Sequence, residues 1–151
     1  MFLFLAIGWM LTLAKNILVP VDGSKFMERN VAYACDHART TGSKLTLLHV
    51  LTIPTVLEPG IPIDPKPFEQ AGSSVLEKAK QIAKDRGADS ETRLESSFGN
   101  PAQQILKVAE EGKFELIIIG AKGHSLLRNL MIGSVCDTVV HNAPCPVLVV
   151  R

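Results

Sequence analysis

Leu116-Ile117-Ile118-Ile119-Gly120-Ala121-Lys122-Gly123, followed after nine residues by Gly133-Ser134, is the stretch that decides how this chain folds. Four branched apolar residues in a row predict a strand buried on both faces, as in a parallel sheet. Gly120, directly after it, lets the backbone turn sharply and puts no Cβ between main chain and ligand. Beyond Gly133-Ser134, the run Val135-Cys136-Asp137-Thr138-Val139-Val140 places its apolar positions on one helical face. The first N–H groups of that helix and the positive end of its dipole form an anion site, to which Ser134 adds a hydroxyl. The pattern is neither a Walker loop nor the G-x-G-x-x-G of dinucleotide folds.

Working outward, 151 residues suit one domain with a substantial core. A hydrophobic content of 46% with 21% charged residues is globular, and a formal net charge of +1 gives no electrostatic case for nucleic acid as a partner. Cys35, Cys136 and Cys145 are odd in number and lack C-x-x-C spacing, the usage of a reducing compartment, so the expected location is cytoplasmic.

Residues 1–14 form an uncharged apolar extension ahead of a domain spanning 15–151. As a helix they would reach about 21 Å, short of a bilayer core of about 30 Å. They also lack the basic start of a secretory signal, and the run joins a core strand almost at once. An extension packed on the protein or on a partner is preferred; a start placed too early, with Met10 the natural one, and a membrane tether are the alternatives. The tether reading requires the intact chain to pellet with membranes.

The first strand is Ile17-Leu18-Val19-Pro20-Val21, with Pro20 at its carboxyl end because proline cannot donate to a ladder. Ser24 is the expected cap of a helix that runs to about Thr40. The second strand covers Lys44 to Val50. Five positions between Leu51 and Lys66 are proline or glycine, which predicts a long loop on the ligand side of the sheet. A helix from about Pro67 to Arg86 precedes a polar edge strand, Thr92 to Ser97. Asn100-Pro101 opens the third helix as cap and first residue. Val147 to Val150 is the last strand. Strands alternating with helices predict a doubly wound α/β fold with a five-stranded parallel sheet. Glycine-bearing turns after strands one and four place these side by side, giving the order 3-2-1-4-5 with a crevice at the switch between them.

Asp22 sits at the mouth of that crevice, where it would bond a nucleoside or a cation-bound water; Asp-Gly-Ser is equally good turn chemistry. His49 reads as a core or rim residue before a catalyst. His124, Lys122 and Arg128 lie in or near the motif loop, where neutralising phosphate and facing solvent are weighed level. His37 and His141 fall on separate helices, and no metal-binding spacing occurs. Ser24, Ser125 and Ser134 belong to no triad signature or nucleophile elbow, which favours a binding module over an enzyme.

The motif G-x2-G-x9-G-S, together with Ile17 to Ser24, Leu48-His49-Val50, Gly99-Asn100-Pro101 and Ala143 to Val150, resembles the ATP-binding branch of the universal stress protein family. The resemblance implies a Rossmann-like domain with adenine and ribose against Pro20, Val21, Asp22 and Val50. It puts the phosphates on Gly120, Gly123, Gly133, Ser134, Val135 and Cys136, with Ile119 at the strand end completing the set. It further implies ATP, AMP or ADP as ligand, Mg2+ carried by the phosphates, slow hydrolysis at most, and a homodimer joined through residues 147–150. Protein partners beyond that are not named by it. Cys136 and Ala121 stand where the binding branch often has hydroxyl residues, and the apolar extension is outside the family pattern. Two other readings are a nucleotide-hydrolysing α/β enzyme and a structural dimer that binds no nucleotide. Against the first, Asp22-Gly23-Ser24 is too short for the S-G-G-x-D-S loop of ATP pyrophosphatases.

Overall fold

The computed structural model of the chain describes residues 14–53, 64–123 and 132–151. Alternating apolar runs and amphipathic segments produce β1 (Asn16–Pro20), α1 (Met27–Thr41), β2 (Lys44–Thr52), α2 (Lys66–Asp85), β3 (Ser90–Ser97), α3 (Pro101–Glu111), β4 (Leu116–Gly120), α4 (Ser134–Asn142) and β5 (Val147–Val150). The strands form one sheet in the order β3-β2-β1-β4-β5, every pair parallel, as the glycine turns predict.

Side chains alternate across a strand, so a strand apolar at every position feeds two cores. Ile17, Val19, Leu45, Leu47, Leu116 and Ile118 pack beneath α1 and α2. Leu18, Leu48, Ile117 and Ile119 pack beneath α3 and α4. Ala14, the residue before the expected domain start, is buried in the first core, and Ser43 Oγ donates to its carbonyl. None of the described helices is long and apolar enough to cross a membrane.

Pairing sets the strand limits more than composition does. Pro20 ends β1 opposite Leu48, as its missing N–H requires. The long loop begins later than its composition suggests, because Leu51 and Thr52 pair with Ser96 and Ser97 and the Ile53 N–H donates to Ser97 O. The polar β3 is an edge strand, and it starts two residues early, at Ser90 opposite Leu45. Residues 54–63 of the loop, and 1–13 of the extension, lie outside the described residues.

Asn100 caps α3 as expected, its side chain accepting from the Ala102 N–H at 3.0 Å. Ser24 does not cap α1. The Asp22 carboxylate accepts from the Ser24 N–H, Ser24 Oγ from the Phe26 N–H, and the helix begins only at Met27. Two short side-chain bonds use up the turn before a helical cap geometry can form.

The cysteines are free, with Cys35 and Cys136 buried, one in each core. Burial pushes the Cys35 thiol up to about 11 from an ordinary 9.0, Arg86 opposing weakly, and raises Cys136 and Cys145 in the same direction. The folded state therefore holds these protons more tightly than the unfolded chain. Their contribution is complete below pH 9 and is lost as the pH rises towards 11. Urea midpoints are expected to fall across that window, and less steeply in Cys35→Val. Alkylation at pH 8 is expected to be slow in buffer and fast in urea, since the thiolate is the nucleophile.

Candidate functional site

The carboxyl ends of β1, β2 and β4 open into a crevice of about 600 Å³. Its floor is the end of the sheet, one wall is the start of α4, and the other is built from Phe26, Phe68 and Val75. All eleven residues singled out from the sequence line it: Pro20, Val21, Asp22, Val50, Ile119, Gly120, Gly123, Gly133, Ser134, Val135 and Cys136. Lys122 lines it as well, whereas His124, Ser125 and Arg128 lie outside the described residues. His37 and His141 are on α1 and α4 and are not among its lining residues.

The motif glycines act by leaving space. Gly120, Gly123 and Gly133 all avoid the left-handed region, so the sharp turn expected at Gly120 needs no special backbone conformation. A Cβ on Gly123 would stand 2.5 Å from Asp22 Oδ2; the missing side chain lets the second motif segment lie directly against the Asp22 carboxylate. The Gly133 N–H donates to Ala121 O at 2.8 Å, and the Ala121 N–H to Val150 O at 2.8 Å. These two bonds tie the loop's ends to each other and to β5.

Gly133 is the N-cap of α4 and offers no side-chain bond. The first bond within the helix runs from the Asp137 N–H to Gly133 O, which leaves the N–H groups of Ser134, Val135 and Cys136 at the crevice wall for an outside acceptor. Ser134 is exposed. The Cys136 side chain is buried in the second core, so the group it offers an anion is its backbone N–H. A hydroxyl missing at that position costs this geometry little.

On the opposite side, His49 Nδ1 stands 2.7 Å from Val21 O. A carbonyl can only accept, so Nδ1 carries the proton and donates. This bond continues the β1–β2 tie beyond Pro20, where the Val21 N–H still reaches Leu48 O at 2.8 Å. His49 is thus a half-buried clamp on the segment leading into Asp22, in keeping with its reading as a rim residue. Sequence reasoning passed over Asn30, which is 4% exposed and also lines the crevice. The signal was available: a carboxamide on the inward stripe of α1 beside Met27, Val31 and Ala34. No group of three or more acidic, histidine or cysteine side chains that could hold a metal occurs among the described residues.

A five-stranded parallel sheet in this order, with a G-x2-G-x9-G-S segment at its crevice, meets a family model across 14–151, that of the "Universal stress protein family". The chain belongs to the universal stress protein family. Among its relatives, Universal stress protein YxiE of Bacillus subtilis is 34% identical over 148 residues, covering 91% of this chain and 99% of the relative. A universal stress protein from Archaeoglobus fulgidus, solved in complex with dAMP, superposes with a TM-score of 0.67 at 26% identity, covering 90% of this chain and 97% of the other. Another, solved in complex with cAMP, gives a TM-score of 0.69 at 27% identity over 91% and 97% of the two chains.

Proposed function

We propose that this universal stress protein binds an adenine nucleotide, ATP foremost, in the crevice at the ends of β1, β2 and β4, and works as a nucleotide-dependent regulatory dimer in the cytoplasm. The observation that carries the reading is the convergence of the eleven sequence-identified residues on one crevice of nucleotide size. Solved relatives in complex with dAMP and cAMP support the adenine nucleotide as ligand class.

Phosphates bind at the Gly123–Gly133 gap, facing the N–H groups of Ser134, Val135 and Cys136 and the positive end of the α4 dipole. The base lies against Val50 and the apolar wall of Phe68 and Val75, the sugar over Pro20 and Gly120. Mg2+ enters with the phosphates, and Asp22, on the lip of the gap, orders water around it. The homodimer forms through β5: Val147–Val150 is apolar, half-buried at every position, and paired only with β4 among the described residues. Such an edge invites a second copy.

The test is calorimetric titration of protein freed of co-purified nucleotide, with ATP in the presence and absence of Mg2+, alongside a sedimentation measurement of mass. Micromolar or tighter binding by a dimer is expected, strengthened by Mg2+. A folded protein that ignores ATP, AMP and ADP overturns the nucleotide reading; a monomer overturns the dimer alone.

A further inference from the structure

The inward face of α1 carries Met27, Val31, Ala34, Cys35 and Ala38 into the first core, and Asn30 lies on the same face. Its Nδ2 donates to Pro20 O at 3.3 Å. Its Oδ1 is buried with no hydrogen-bond partner among the described residues. A buried acceptor left unpaired has given up its water with nothing in return, and an aliphatic side chain of similar volume would avoid that cost. The carboxamide is therefore an expensive choice unless something donates to it.

Position says what the donor is. Pro20 ends β1 and Gly120 ends β4, the two neighbouring strands at the centre of the sheet. Asn30 Cγ lies 3.9 Å from the point where a Gly120 Cβ would stand, so the carboxamide sits between the two strand ends, in the crevice floor. From β2, where the base would rest, across β1 to β4 and the anion-binding turn is two strand spacings, about 10 Å. The sugar joins base to phosphate, so it lies in the middle of that span, over β1 and its junction with β4. Phosphate oxygens are acceptors at neutral pH and cannot satisfy Oδ1, and the base's amino group lies at the far end of the ligand. The ligand donor that arrives at Asn30 is a hydroxyl of the sugar.

We propose that Asn30 is a specificity-determining residue of this site: its carboxamide oxygen accepts a hydrogen bond from a ribose hydroxyl, directly or through one water, and so selects ribonucleotides over deoxyribonucleotides. The proposal rests on the nucleotide reading above. Oδ1 is buried, so it meets the hydroxyl by a turn of the carboxamide about its broad last torsion, which stretches the already long 3.3 Å bond from Nδ2 to Pro20 O.

The test uses AMP, 2′-deoxy-AMP and 3′-deoxy-AMP as titrants of the full chain and of Asn30→Ala. The unaltered protein is expected to bind one of the two deoxy ligands about tenfold more weakly than AMP, the effect of one hydrogen bond whose buried partner is left unsatisfied. Asn30→Ala is expected to lose the same factor for AMP and nothing for that deoxy ligand. Equal weakening of all three ligands by the substitution overturns the proposal, since a residue that only shapes the floor acts on every ligand alike. Equal binding of all three by the unaltered protein overturns it with no variant needed. If Asn30→Ala fails to fold, Asn30→Ser, which keeps a donor towards Pro20 O, takes its place under the same criteria. A folded protein that binds none of the three, and neither ATP nor ADP, overturns the nucleotide reading itself, and this proposal with it.

Discussion

Gly133→Val is expected to lower affinity for ATP about 100-fold while the thermal midpoint stays within a few degrees of the unaltered protein. Gly133 has φ −64° and ψ 149°, extended backbone that valine adopts readily. Its N–H bond to Ala121 O survives the substitution, and a Cβ there would meet Ala121 O at 3.4 Å and Gly123 N at 3.9 Å, ordinary contact distances. The fold should lose only what a poorer N-cap costs, about 1 kcal/mol. The two methyl groups, however, would stand in the gap between Gly123 and the first turn of α4, where the phosphate oxygens of the proposed ligand come within about 2.9 Å of backbone N–H groups. Losing two charge-assisted bonds at about 1.5–3 kcal/mol each accounts for a 100-fold loss or more. Gly133→Ala, with one methyl, should lose far less. Calorimetry against ATP with parallel thermal denaturation decides the matter, and unchanged affinity in a folded Gly133→Val protein would place the phosphates elsewhere.

The same residues show how far sequence alone reaches. Strand order was legible because it depends on local signals: β1 and β4 each read as apolar on both faces and each ends in a glycine-bearing turn, which puts them together at the centre. The glycine turns and Asp22 were legible for the same reason, since a turn at the carboxyl end of a central strand has one place to be, whereas Pro20, Val21, Val50, Val135 and Cys136 were reached only through the family resemblance. What remained hidden depends on contacts distant in sequence. Leu51 and Thr52 read as the start of a loop until β3 pairs with them. Ser24 read as a cap until Asp22 took its N–H and Ser24 itself took that of Phe26. Gly123 read as a turn residue, whereas its spacing from Asp22, a hundred positions away, is what forbids a side chain. Asn30 is the instructive case. A helical stripe averages over one polar residue, so the periodicity that finds the core also conceals a buried group that lacks a partner among the described residues.

Leu18→Ala should destabilise the fold by about 3 kcal/mol, a large fraction of the roughly 5–15 kcal/mol that holds a domain together. Leu18 is wholly buried at the centre of β1, opposite Thr46 on one side and Ile117 on the other, and it packs into the core beneath α3 and α4. Strands on both sides and a helical layer above hold the walls of the resulting cavity apart, so it cannot collapse, and the cavity adds to the lost transfer energy. Leu94, half-buried on the edge strand β3, provides the contrast: with solvent beside it, Leu94→Ala should cost about 1 kcal/mol. The pair separates two accounts of the fold. If β1 is the shared wall of two cores, urea denaturation gives a midpoint drop for Leu18→Ala about three times that for Leu94→Ala, with unchanged slopes. Equal drops would mean that the edge contributes as much as the centre, and that the strand's doubly apolar character does not govern stability. ATP affinity measured below both midpoints should be unaltered in either variant, because neither side chain lines the crevice.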